Sequence, residues 1–266
     1  MQAADSLAAL LHGLEARGEA WPARIEWEPR LASTSDLLKD LAREGAEEWT
    51  AVLADEQTGG RGRQGSRWHS PPGNLFLSVL LRPRQEFAFG VLPFLVGVAV
   101  RDALESFGVS ASLKWPNDVL AQDLKIGGIL TEASWSEGRI DSVVVGVGVN
   151  VALRRADLPA DLADVTTSIR LETGRVPPVP DVAGEVLAGV RVWYHALAHD
   201  GPDAVVAAWR ERSIDWWGKV VEVHTGESTL RGIARGVDAS GALALELPGG
   251  RSVSLLAGVA RQLRVK

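Results

Sequence analysis

Lys114-Trp115-Pro116-Asn117-Asp118 and, soon after it, Lys125-Ile126-Gly127-Gly128-Ile129-Leu130 set the frame for the whole chain. A strand-like run ends at Lys114, Pro116-Asn117-Asp118 carries turn chemistry, and an apolar strand-like run resumes at Lys125. Such a connection brings both ammonium groups to one edge of a sheet. On either side the periodicity is mixed. Asn74–Leu81 reads as a buried strand, Leu92–Phe107 as a helix, and Leu124–Trp135 and Ser142–Val151 as further strands. Toward the N-terminus, Ala51–Ala54 reads as a strand, and Ser33-Thr34-Ser35-Asp36 offers N-cap chemistry ahead of Leu37, Leu38 and Leu41. Leu7, Leu10, Leu11 and Leu14 recur at helical spacing. Toward the C-terminus, the polar stretch Leu153–Thr167 predicts a mobile loop, and Val182–Arg212 shows a helical pattern. Strands and helices mix without strict alternation, which predicts an α+β (mixed α/β) fold. From Trp217 the character changes. Lys219–Val223, Leu230–Gly236, Ala242–Leu247, Ser252–Leu256 and Gln262–Val265 are short β-rich runs, with turn signals at Asp238-Ala239-Ser240-Gly241 and Pro248-Gly249-Gly250. The expected organisation is a larger domain over residues 1–214 and a small β-barrel over 215–266.

Composition narrows the function classes. With 46% hydrophobic and 23% charged residues among 266, the chain can bury a substantial core. A net charge of −6 and a pI near 5.5 argue against a dedicated nucleic-acid or anionic-membrane binder, so any phosphate site must be local. The absence of cysteine removes disulfides, thiolate metal sites and thiol nucleophiles. The first residues lack a basic segment leading into an apolar one, and nowhere do about 18 apolar residues run together. The expected address is the cytoplasm, away from membranes.

The polar, glycine-rich stretch Asp55–Gly73 is too long for a simple turn. Its centre, Gly60-Arg61-Gly62-Arg63-Gln64-Gly65, sets two guanidiniums between glycines, which suits planar recognition of phosphate or carboxylate. A solvated Gly/Arg linker has the same composition. The loop is not the phosphate loop of the common nucleotide hydrolases, which ends in Gly-Lys-Ser or Gly-Lys-Thr. Of the 28 Lys and Arg residues only five are lysines, so Lys114 and Lys125 stand out. A compact, movable charge suits a negative transition state, and two surface lysines beside a hairpin are the plainer reading. Asn117-Asp118 is either an ordinary turn or a carboxylate and amide near a metal-bound triphosphate. Gly146-Val147-Gly148-Val149-Asn150 holds a lone Gly-x-Gly, usually a sign of tight packing. His195 and His199 share a helix face, but Ala196 stands where a zinc protease has glutamate, and no metal site is expected. The ten tryptophans read as core or interface residues, except Trp68 inside the polar loop.

Ser33-Thr34, Gln57, Gly60–Gly65, Lys114–Asp118, Lys125–Leu130 and Gly146–Asn150 follow the motif order of the biotin protein ligases, which this chain resembles over roughly residues 25 to 266. The resemblance implies a class II synthetase-like catalytic domain, its mixed sheet flanked by helices, and an SH3-like C-terminal barrel. It implies an ATP-dependent ligase that forms biotinyl-5'-AMP with release of pyrophosphate. Biotin then passes to a lysine of the acceptor domain of a biotin-dependent carboxylase. Biotin and ATP are the implied substrates, with Mg²⁺ carried by the nucleotide phosphates. By the same resemblance Ser33, Thr34, Ser35, Gln57, Arg61, Gly62, Arg63 and Lys125 surround biotin. Arg63, Trp68, Lys114, Asn117, Asp118 and Asn150 line the nucleotide. Arg63 and Lys125, with Arg61, carry the adenylation chemistry, and Asp118 positions the acceptor lysine. The loops at 55–73 and 153–167 are expected to close over the adenylate.

Two departures bear on this. Ser35 stands where the family usually reads Asn, which removes an amide from the biotin pocket unless a neighbour or a water covers the gap. Only about thirty residues precede the first motif, too few for the winged-helix module of some relatives, so no operator binding is expected. A monomer and a homodimer fit equally. The competing readings are a lipoate ligase, against which the Gly-Arg-Gly-Arg loop and the Lys-Trp-Pro-Asn-Asp block argue, and a non-catalytic ligand sensor, against which the paired lysines and arginines argue.

Overall fold

The computed structural model describes residues 3–16, 24–83, 89–226, 228–256 and 258–262. In chain order the elements are α1 (Ala3–Ala16), β1 (Ile25–Glu28), α2 (Thr34–Arg43), β2 (Ala51–Ala54), β3 (Leu75–Leu81), α3 (Leu92–Ser106), β4 (Ser112–Lys114), β5 (Asp118–Ala121), β6 (Leu124–Ser136) and β7 (Arg139–Val149). There follow α4 (Ile169–Thr173), α5 (Val179–Asp200), α6 (Pro202–Glu211), β8 (Val220–His224), β9 (Thr229–Val237), β10 (Leu243–Glu246), β11 (Ser252–Leu255) and β12 (Val259–Gln262). The first seven strands form one sheet in the order β1-β2-β3-β7-β6-β5-β4, with β1 parallel to β2 and the other pairs antiparallel.

β3 is buried along its whole length because both faces of the sheet are covered. Leu75, Leu77, Val79 and Leu81 join Val143, Val145, Val147 and Val149 of β7 in the main core, with the apolar sides of α3 and α5. Leu80 and Val144 belong instead to a smaller cluster with Val52 and with Leu38 and Leu41 of α2. The period of two along a strand then dictates what lies further along the α2 face. Those positions are Phe76 and Ser78 of β3, Gly146 and Gly148 of β7 and Gly128 and Leu130 of β6, with Ser78 opposite Gly146 and Gly128 opposite Gly148. The three adjacent glycines leave a hollow in this face.

The C-terminal strands form a five-stranded antiparallel sheet in the order β11-β10-β9-β8-β12, with Val221, Val223, Ala234, Leu243 and Leu245 buried. It sits directly against the larger sheet's surroundings. The Trp115 indole N–H donates to the Gly241 carbonyl at 3.1 Å, and Gly90 lies so close to Ser240-Gly241 that a side chain there would collide with backbone.

Three expectations change. The run Val182–Arg212 is two helices, because Gly201 at φ 78° turns the chain and Pro202 starts α6. The last strand lies three residues earlier than Gln262–Val265, and Leu263–Val265 are outside the described residues. β1, β5 and α4 are additional elements. Among the described residues no helix is long and apolar enough to cross a membrane.

Candidate active site

The hollow over Gly128, Gly146 and Gly148 opens into a cavity of about 550 Å³, a size suited to a small-molecule ligand. Its lining has two chemical halves. One is uncharged and hydrogen-bonding, with Ser33, Thr34 and Ser35 at the start of α2 and Gln57 beside them. The other holds Arg63, Lys114, Asp118 and Lys125 with Trp68, Asn117 and Asn150. Leu153, Leu158 and Leu162 contribute an apolar side, and Gly258 reaches in from the C-terminal sheet.

At the uncharged end Gln57 is the organiser. The first amides of a helix have no partner within it, and here the Thr34 N–H donates to Gln57 Oε1 at 2.9 Å, while Ser33 makes no side-chain capping bond. The Thr34 hydroxyl donates to the same oxygen at 3.2 Å, and Gln57 Nε2 donates to Ser70 Oγ at 3.2 Å. One side chain thus ties the start of α2 to both arms of the glycine-rich loop. The hydroxyl of Ser35 lies 3.0 Å from that of Ser78 on β3.

The loop itself is an irregular hairpin. Gly62 N–H donates to the Ser66 carbonyl at 2.7 Å and Trp68 N–H to the Gly60 carbonyl at 2.9 Å. A Cβ at Gly60 or Gly62 would collide with the Ser70 or Ser66 hydroxyl. The two arginines, two residues apart in one loop, have different partners. The Arg61 fork is bidentate on Asp36 at 2.6 and 2.7 Å with Glu132 at 3.5 Å, and Arg61 also lines the cavity. Burial raises the Asp36 carboxyl, but the hydrogen bonds and charges of Arg61 and Lys39 outweigh it and hold the group below its ordinary range. Arg63 lines the cavity, half-buried, and donates to the Gly258 carbonyl at 3.4 Å. Burial pushes its guanidinium down from its ordinary value, against the pull of Asp118.

Lys114, at the end of the edge strand β4, and Lys125, at the start of β6, both line this cavity. Lys125 Nζ is paired with Asp118 Oδ1 at 2.5 Å and sits 5.4 Å from the centre of the Trp68 ring. Trp68 rests on the glycine floor. Its ring occupies the space where Gly148 would carry a Cβ, and its indole N–H is enclosed without a partner among the described residues. The Gly-x-Gly is therefore tight packing after all, against a cavity residue. Asn117 and Asn150 use their amides inside the fold. Asn117 Nδ2 donates to the Ile129 carbonyl at 2.5 Å, and Asn150 Nδ2 to the carbonyls of Thr167 at 3.0 Å and Lys125 at 3.4 Å.

Several contributors carry no local sequence signal. Asp36 and Glu132 hold Arg61, and Ser78 backs Ser35 and Thr34. Asn74 Oδ1 accepts from the amides of Val151 and Ala152 at 2.8 and 3.1 Å and so fixes the start of the 153–167 stretch. Gly258 is supplied by the other sheet.

Residues 27–150 match the Biotin/lipoate A/B protein ligase family, and residues 217–260 match the Biotin protein ligase C terminal domain. The chain is 37% identical to a biotin--[acetyl-CoA-carboxylase] ligase of Paracoccus denitrificans, over 76% of this chain and 86% of that one. It is 33% identical to the enzyme of the same name from Mycobacterium tuberculosis, over 88% of this chain and 86% of that one. The biotin protein ligase from Aquifex aeolicus in complex with biotin and ATP superposes with a TM-score of 0.79 at 29% identity, covering 91% of this chain and all of that one. Motif order, mixed sheet, C-terminal barrel-type sheet and these likenesses agree, and the chain belongs to the biotin protein ligase family.

Proposed function

We propose that this protein activates biotin with ATP to biotinyl-5'-AMP, releasing pyrophosphate, and transfers the biotinyl group to a lysine of the acceptor domain of a biotin-dependent carboxylase. The observation that carries the reading is the division of one cavity into an uncharged hydrogen-bonding end and a cationic end. An uncharged ring needs donors and acceptors, and its acid needs cations where it meets a phosphate. The Ser33–Ser35 and Gln57 end takes the ring, and Leu153, Leu158 and Leu162 take the tail. Arg63 and Lys125 face the reacting carboxylate and α-phosphate. A carboxylate oxygen attacks phosphorus, the bond to the pyrophosphate oxygen breaks, and the two cations stabilise the charge that builds on the phosphoryl oxygens. Trp68, Lys114, Asn117 and Asn150 form the nucleotide side. Arg61 acts at one remove, by fixing the loop on Asp36.

In the second half-reaction the acceptor amine, once deprotonated, attacks the acyl carbon and AMP leaves. Asp118 is the carboxylate placed to orient that amine. Mg²⁺ is proposed to enter on the triphosphate, bound mainly through its oxygens. Residues 1–214 are proposed as the catalytic unit and 215–266 as the barrel that closes the cavity through Gly258. Pyrophosphate exchange into ATP, with Mg²⁺ and either biotin, lipoate or no acid, tests the reading. Exchange with biotin alone is expected; exchange with lipoate would move the substrate, and none with either would remove the activity.

A further inference from the structure

Four side chains at the uncharged end form one line of hydrogen bonds. Ser35 Oγ lies 3.0 Å from Ser78 Oγ, Ser78 Oγ 2.8 Å from Thr34 Oγ1, and Thr34 Oγ1 3.2 Å from Gln57 Oε1. Each hydroxyl has one proton to give. The direction of the line is set at the glutamine. Gln57 Oε1 accepts from the Thr34 backbone N–H at 2.9 Å, and Nε2 of the same amide donates to Ser70 Oγ at 3.2 Å. The Ser70 proton goes in turn to the Trp68 carbonyl at 3.1 Å. A flipped amide would set N–H against N–H at Thr34, so Oε1 is where it must be. Thr34 therefore gives its proton to Gln57, takes that of Ser78, and Ser78 takes that of Ser35. What Ser35 offers the cavity is lone pairs alone. Its oxygen occupies the room left by Gly146, only 2.9 Å from where a Cβ would stand. Ser78 is wholly buried behind it, the one polar residue of an otherwise apolar β3.

We propose that Ser78 is a specificity-determining positioning residue: by taking the Ser35 proton it makes the Ser35 oxygen an obligate acceptor, and so selects an acid whose polar ring presents an N–H at that point. A buried hydroxyl in a core strand is a cost unless it is used, and here both its donor and its acceptor capacity are used. The proposal rests on the reading of the cavity as a biotin site, the ureido ring of biotin carrying two N–H groups.

Isothermal titration of the full chain tests it, comparing biotin with the two cyclic carbamate isomers in which one or the other ring N–H is an oxygen. The unsubstituted chain is expected to bind one isomer about tenfold or more weaker than biotin, because a hydrogen bond is replaced by two facing lone pairs. In Ser78→Ala the Ser35 proton is free to turn into the cavity, and that gap should close to within about threefold. Ser78→Thr keeps the hydroxyl and should keep the gap. Ser78→Ala with the original gap and the original melting temperature would overturn the proposal and leave the proposed function standing. If Ser78→Ala does not fold, Ser35→Ala decides: a gap that survives there overturns the proposal, and one that vanishes supports it. A chain that binds neither biotin nor the carbamates overturns the biotin reading, and this proposal with it.

Discussion

Replacing Gly148 by alanine is expected to disturb nucleotide binding before it disturbs the fold. A Cβ at Gly148 would lie 2.6 Å from Cε2 and 2.8 Å from Cζ2 and Nε1 of Trp68. Non-bonded carbons settle at about 3.5–4.0 Å, so the ring has to move by roughly 1 Å. The strand cannot yield in its place, since Gly148 is paired with Phe76 of β3 on one side and Gly128 of β6 on the other. Were the ring to stay, overpacking would cost about 1–3 kcal/mol, or roughly 2–10 °C of melting temperature in a chain of this length. Trp68 sits on a loop at the cavity, however, half-buried and with no partner for its N–H among the described residues, so displacement is the cheaper outcome. The loss then falls on function, because the displaced ring no longer walls the cavity or sits over Lys125. Pyrophosphate exchange titrated separately in ATP and biotin should show KM for ATP raised about tenfold, equivalent to about 1.4 kcal/mol, with a smaller change for biotin. In a Trp68→Ala background the same substitution should be nearly silent, since the colliding group is gone. An equal penalty in both backgrounds, or a rise confined to biotin, would refute the reasoning.

Lys125→Gln should slow exchange about 10²–10³-fold at saturating biotin and ATP with little change in melting temperature; a loss under tenfold would remove Lys125 from adenylation. Asp118→Asn should transfer biotin slowly from preformed adenylate to an acceptor lysine, and transfer at the normal rate would sink its positioning role. Arg61→Gln should raise KM for both substrates while largely keeping kcat, whereas Arg63→Gln should lower kcat; indistinguishable profiles would overturn the division of labour between them. Asp36 is held below its ordinary value of 3.8, so its contribution to the loop is present above that pH and fades as pH falls through the lower folded-state value. Hydrogen exchange of residues 60–68 should accordingly differ between the unsubstituted chain and Asp36→Asn at neutral pH, and the difference should shrink below pH 3.8; a difference constant with pH would contradict the ion pair.

The long strands and helices are legible because burial on both faces writes continuous apolar runs, as in β3 and β7, and a half-buried helix writes its own period. β1, β5 and α4 span four or five residues, too few for either period to show. The division of α5 from α6 hides for another reason. The apolar spacing continues through Gly201-Pro202, and a proline is acceptable at the first position of a helix, so the turn resides in the Gly201 backbone alone. At the site the motif positions do converge, but the direction of each side chain is not written locally. Arg61 and Arg63 share the neighbour Gly62 in one glycine-rich loop, and what separates them is Asp36 and Glu132, 25 and 71 residues from Arg61, and Gly258, 195 residues from Arg63. Ser78 and Asn74 likewise earn their roles from strands that only the sheet brings together.

The placement of Asp118 links the two proposed half-reactions. Cations gathered in an empty, partly buried cavity repel one another, and Asp118 relieves this by pairing with Lys125 while attracting Arg63. An entering carboxylate and phosphate compete for the same cations. Under the proposed mechanism, Lys125 turning to the developing negative charge would free the Asp118 carboxylate, on the strand beside β4, to take up an incoming ammonium. Charge balance would then order the two half-reactions, and Asp118→Asn should cost less in adenylate formation than in transfer to the acceptor lysine; an equal loss in both steps would refute that order.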